Sequence, residues 1–80
     1  MERRATIEKA QACLRNGTIM AFAPYSAHPD DDYLAVVLVC RGSLSYVVWT
    51  FNSELGGFAN GLYTQNLRAG LADFTMRIHE

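Results

Sequence analysis

Tyr33-Leu34-Ala35-Val36-Val37-Leu38-Val39-Cys40-Arg41, then Gly42-Ser43, then Ser45-Tyr46-Val47-Val48-Trp49-Thr50-Phe51: this stretch decides the fold. Both long segments are rich in β-branched and aromatic residues, which fit a pleated, half-buried surface. Loop residues bound each of them, so residues 33–41 and 45–51 read as strands. Gly42-Ser43 is far too short for a crossover connection, so the two strands form an antiparallel hairpin. The first strand carries Tyr33, Ala35, Val37 and Val39 on one side and Leu34, Val36, Leu38 and Cys40 on the other. An antiparallel sheet with one solvated face alternates apolar with polar residues, and this one does not. Either helices cover both faces, or an open face meets a partner, for which a second copy of the chain is a candidate.

Working outward, Thr18 to Ala23 reads as a short strand ended by Pro24. Residues 24–32 hold two prolines and three aspartates, which do not fit a sheet interior and mark a loop. After the hairpin, residues 52–57 (Asn-Ser-Glu-Leu-Gly-Gly) form a turn, and Phe58 to Tyr63 form a last strand. Gly61 within that strand signals a bulge or the close approach of another backbone. A helix is expected over residues 3–16, where Ile7, Ala10 and Leu14 recur at helical spacing and Asn16-Gly17 follows as a stop. Thr6 is either an internal residue of this helix or a late N-cap. Thr64 is expected to cap a second helix with an apolar stripe of Leu67, Leu71, Phe74 and Ile78. Arg68, Asp73 and Arg77 fall elsewhere on its wheel, and Arg77 near the end favours the helix dipole. The order is α-β-β-β-β-α: an α+β domain spanning 1–80, with a four-stranded antiparallel sheet and two helices packed on it. The simplest arrangement puts both helices on one face.

Hydrophobic residues make up 50% of the chain and aromatic residues 11%, which supports a real core and argues against disorder. The longest apolar run, Leu34 to Cys40, suits a strand and falls far short of a membrane span. No apolar stretch follows Met1-Glu2-Arg3-Arg4, as a signal peptide would require, so a cytoplasmic location is expected. Cys13 and Cys40 do not make a disulfide framework, and whether they pair is left open. Net charge is −1, with four basic and two acidic residues in 1–17 but three basic and six acidic residues in 18–80. No basic stripe offers itself to a phosphate backbone, so direct nucleic-acid binding is not expected.

No catalytic constellation stands out, and the expectation is a binding protein without cofactor or metal, not an enzyme. Gly56-Gly57 lies between two strands and is explained by a turn. Cys13 has no activator near it in sequence, although a Cys/His pair meets in space. His28-Pro29-Asp30-Asp31-Asp32 gathers metal-type ligands but lacks the distal glutamate and mid-loop glycine of a calcium loop. Tyr46, Trp49, Phe51, Phe58 and Tyr63 are expected mostly in the core, with Tyr46 as a candidate anchor on an exposed face. Three adjacent aspartates repel one another, which is costly unless solubility or attraction to a basic surface gains from it. Asp30, Asp31, Asp32 and Glu54 are therefore the candidate contacts, carboxylates standing where phosphates would meet Lys and Arg.

The C-terminal stretch carries Val48-Trp49, Gly56-Gly57-Phe58, Gly61-x-Tyr63 and Leu67-x-x-Gly70-Leu71-Ala72-Asp73-Phe74-x-x-Arg77. It resembles small proteins of phages and mobile elements. That family more often has histidine where this chain has Leu62, so no histidine role carries over. With its size and acidic loop, the chain also resembles the anti-CRISPR inhibitors of type I surveillance complexes, some of which act as acidic mimics of DNA. The resemblance implies a host-cell cytoplasmic inhibitor whose partner is a basic DNA-binding surface of such a complex. The class has no shared motif, so the four carboxylates and Tyr46 come from charge and placement alone. The alternatives are a structural or regulatory homodimer that buries a spare sheet face, and a small enzyme or metal protein using Cys13, His28 or the aspartates.

Overall fold

Ala35 to Val39 are shut away from solvent on both sides, none more than 1% exposed. The computed structural model describes residues 3–25 and 30–79. Its elements are α1 (Ile7–Cys13), β1 (Thr18–Pro24), β2 (Leu34–Gly42), β3 (Ser45–Asn52), β4 (Gly57–Thr64) and α2 (Leu67–Ile78). The strands form one antiparallel meander in the order β1-β2-β3-β4, so β2 and β3 are central. This is the expected α-β-β-β-β-α order.

The helices lie on opposite faces, one on each, and not together on one face. Ala35, Val37, Val39, Val47 and Phe51 cluster with Ala5 and Ala10 on the α1 side. Val36, Leu38 and Val48 cluster with Phe74 on the α2 side, with Leu67 and Ile78 packed alongside. The cause is the two-sided apolar pattern of β2. A bare face of valines and leucines would forfeit about 1.5–3 kcal/mol per side chain, so each face takes a lid.

The first helix is shorter than its periodicity suggests. Thr6 is the N-cap, and its hydroxyl accepts from the Lys9 N–H at 3.2 Å. The residues before it are tied to the sheet instead, since the Ala5 N–H donates to the Asp32 carbonyl at 2.7 Å. At the other end Leu14 leaves helical geometry, with φ −80° and ψ 120°. The chain then crosses to β1 through Gly17, whose φ is 117°. A Cβ there would lie 2.8 Å from the Cys40 carbonyl oxygen, so both conformation and space require glycine.

The second helix starts at Leu67, not after Thr64. Asn66 is the cap, its side-chain oxygen accepting from the Arg68 and Ala69 N–H groups at 2.8 and 3.3 Å. Thr64 instead closes β4 opposite Tyr46, and its hydroxyl accepts from the Asn66 N–H. Leu71, expected in the buried stripe, is 44% exposed. Gly70 takes its place against the sheet, where an added Cβ would lie 3.2 Å from Leu38 Cδ1. A glycine at the contact lets the helix backbone approach closely, and the buried stripe rotates accordingly.

Arg77 and Asp73 also face the sheet. Arg77 Nε lies 2.8 Å from Asp73 Oδ2, with both side chains largely buried. The contact is ionic, as Oδ2 has no donor in hydrogen-bonding alignment. Arg77 Nη2 donates to the Asn60 carbonyl at 2.7 Å, and Nη1 to the Thr50 hydroxyl at 3.4 Å. This latch lands on a bulge, since the β3–β4 register shifts between Val48 and Thr50. Asn60 and Gly61 there oppose Trp49 alone, and Asn60 takes a φ of 56°. Of the two readings of Gly61 the bulge is the one observed: what lies close to it is no backbone but the indole, where an added Cβ would meet Trp49 Nε1 at 2.7 Å. Gly61→Ala is therefore expected to cost about 1–3 kcal/mol in urea unfolding, by overpacking against the indole. Gly57→Ala, whose Cβ meets nothing within 4 Å, is the control and should stay within about 0.5 kcal/mol of the parent. Equal midpoints for the two variants would contradict the packing of the bulge on Trp49.

Candidate functional site

The carboxylates at the entry to β2 do not stand alone. Arg3 Nε contacts Asp32 Oδ1 at 2.9 Å, and Arg3 Nη1 lies 3.6 Å from Glu54 Oε1. Arg3 Nη2 donates to the Asp30 carbonyl at 3.3 Å. The same guanidinium lies 5.2 Å from the Tyr33 ring centroid. The Ser53 hydroxyl donates to the Arg3 carbonyl, and the Ser53 N–H to the Tyr33 carbonyl at 2.9 Å. Three distant pieces of chain thus meet around one arginine: the N-terminal segment, the loop before β2 and the β3–β4 turn.

Asp30, Asp32 and Glu54 are exposed there, and Asp31 is half-buried with its carbonyl accepting from the Leu34 N–H. The structure therefore gathers the four acidic residues at one end of the sheet, with Arg3 bridging two of the carboxylates. His28 and Pro29 of the acidic loop lie outside the described residues. Among the described residues no group of three or more His, Cys, Asp and Glu side chains is placed to hold a metal ion. Nor is any described helix long and apolar enough to cross a membrane.

Tyr46 is not at this end and is not an exposed anchor. It lies on the α2 face of β3, half-buried, packed against the Val36–Leu38–Phe74 cluster. Cys13 and Cys40 are both free thiols. They belong to opposite sides of the sheet: Cys40 pairs with Tyr46 on the α2 face, while Cys13 packs with the α1 cluster.

The exposed aromatic surface lies elsewhere, on the α1 face beyond the end of that short helix. Trp49 and Phe58 pack at a centroid distance of 5.0 Å, and Tyr63 meets the Trp49 ring edge-on at 6.0 Å. Tyr63 is 65% exposed. Trp49 and Phe58 form the floor of an open groove of ≈ 280 Å³. Its wall is the crossing segment Cys13-Leu14-Arg15-Asn16, and Arg41 stands at its rim. The Arg41 guanidinium lies 5.8 Å from the Trp49 ring centroid. The residue pattern shows that Arg41 and Trp49 share a strand face, but not that α1 stops short of them. The early end of α1 opens the groove.

No family model, curated protein or solved structure matches the chain.

The placement of the aromatics is testable by truncation. Tyr46→Ala, under α2, should cost about 2–4 kcal/mol in chemical unfolding, in line with large-to-small changes at packed sites. Tyr63→Ala, mostly in solvent, should cost less than about 1 kcal/mol. Arg3→Ala should also cost less than about 1 kcal/mol, since its ion pairs are solvent-exposed. The reverse order for the two tyrosines would contradict the assignment of sheet faces.

Proposed function

We propose that this chain acts by occupancy and not by catalysis. In this reading its acidic end docks on a basic protein surface that otherwise holds a nucleic-acid backbone. The observation that carries it is the gathering of Asp30, Asp31, Asp32 and Glu54 at one end of a small rigid sheet, three of them open to solvent. Carboxylates held on a frame present charge to Lys and Arg with less ordering cost than a free acidic tail. The resemblance to anti-CRISPR inhibitors suggests the partner: a DNA-binding subunit of a type I surveillance complex in the bacterial cytoplasm. Direct nucleic-acid contact plays no part in this mode.

A homodimer is the second reading: each face carries a helix, and the part of the α1 face left open around Trp49, Phe58 and Tyr63 is the surface it would bury. Val36 is fully buried under α2. A charge there would test folding and not association.

Binding of purified type I complex to the immobilised chain is the direct test. Replacing Asp30, Asp31 and Asp32 together with Asn should weaken association at least about tenfold, or about 1.4 kcal/mol. Raising ionic strength from about 0.05 to 0.3 M should weaken the parent too, as the shorter screening length predicts. Because Asp32→Asn also loosens the Arg3 clamp, Arg3→Ala is the control. It loosens the same clamp while keeping every carboxylate, and should leave binding unchanged or tighter. Full binding by the triple Asn variant, or no retention of the complex by the parent, would reject the reading.

A further inference from the structure

The groove on the α1 face is independent of the acidic end, and its chemistry is of the opposite sign. Trp49 comes from a central strand and lies on a face that a helix covers elsewhere, yet it stays only half-buried. The reason is local. The seven residues of α1 end at Cys13, and the crossing segment 14–17 runs along the groove instead of over it. Packing alone would favour an aliphatic residue here, tucked under a longer helix. Instead three aromatic rings, Trp49, Phe58 and Tyr63, form a continuous ledge.

Two guanidiniums border that ledge. Arg15 and Arg41 are both exposed and both line the groove. Among the described residues neither forms an ion pair with a carboxylate. Arg41 lies over the indole, so its charge sits at the mouth of an apolar floor. This differs from Arg3, whose guanidinium is occupied by Asp32 and Glu54.

We infer that the groove binds a small ligand made of a planar ring carrying an anionic group. The ring lies against Trp49 and Phe58, and the carboxylate or phosphate is taken by Arg15 and Arg41. Three features converge on that class. An aromatic floor favours a flat π-system by stacking, whatever its ring substituents. The unpaired arginines at the rim complement an oxyanion and suit its planar, bidentate recognition. A volume of ≈ 280 Å³ is at the small end of ligand sites, which fits one ring system and its acid group and not a polymer. The same chemistry is offered by a nucleoside monophosphate and by an aromatic carboxylic acid.

The chain has one tryptophan, and it forms the floor of the site, so the indole N–H resonance of ¹⁵N-labelled protein reports directly. Four probes are titrated: adenosine 5′-monophosphate and its neutral counterpart adenosine, indole-3-acetate and its neutral counterpart indole-3-acetamide. At least one charged probe should move the Trp49 resonance with a Kd at or below about 1 mM. It should bind roughly tenfold more tightly than its neutral counterpart, as a charge-assisted contact requires. Whichever charged probe does so identifies the source of the anion. In the Arg15→Gln, Arg41→Gln double variant, which changes only exposed side chains, that tenfold preference should vanish while the spectrum stays folded. The inference is overturned if neither charged probe moves the resonance, if charged and neutral partners bind alike, or if inorganic phosphate alone reproduces the effect.

Discussion

The two-sided burial of β2 is the constraint from which the rest of the architecture follows. A central strand with Val36 and Leu38 on one side and Ala35, Val37 and Val39 on the other leaves no face to be solvated. Among the described residues there are two helices, and each face receives one. The two lids solve the problem differently. α2 is 12 residues long, and packs across β2, β3 and β4 with Gly70 at the point of closest approach. α1 has seven residues, and seats itself with alanines, Ala10 being fully buried. The cover is fuller on the α2 side, where Leu62 opposite Val48 is still 38% exposed, and the α1 side leaves the aromatic ledge open.

The segment before α1 is held by polar contacts through Arg3, Asp32 and Ser53. At this end carboxylates predominate at the surface, and one arginine organises them. At the far end of β2, Arg41 and the crossing residue Arg15 form no ion pair with a carboxylate among the described residues. The net charge of −1 thus conceals an acidic end and a basic groove. The first supports docking on a basic protein surface and the second an anionic small ligand, and each reading stands or falls without the other.

Much of the fold was legible because strands and turns are written locally. The runs 33–41 and 45–51 and the Gly61 irregularity follow from residue type and spacing, while the turn between the runs falls one residue later than expected, at Ser43-Leu44, because Gly42 ends β2 opposite Ser45. The two-sided apolar pattern also posed the right question about the second face, though the simplest answer put both helices together. Helix limits were less legible, because tertiary contacts override periodicity there. Arg3 and Ala5 are tied to Asp32 in the loop before β2, and Thr64 is claimed by its pairing with Tyr46, which leaves Asn66 to cap α2. The wheel of α2 misled at Leu71 because a glycine gives no hydrophobic signal, although Gly70 makes the closest contact. Of the candidate site residues, the acidic four were singled out by charge, and the fold brings them to one end of the sheet. Tyr46 was misjudged because which sheet face is covered is a long-range fact, and the groove was hidden for the same reason.

The most direct measurement of this account is a set of nuclear Overhauser contacts from the methyl groups of β2. Val37 and Val39 should show cross-peaks to Ala10 of α1, and Val36 and Leu38 should show them to the Phe74 ring of α2, with no exchange between the two sets. Contacts from both helices to the same alternate residues of β2 would contradict it. One sheet face would then be bare, and the groove, the homodimer argument and the placement of Tyr46 would all have to be redrawn.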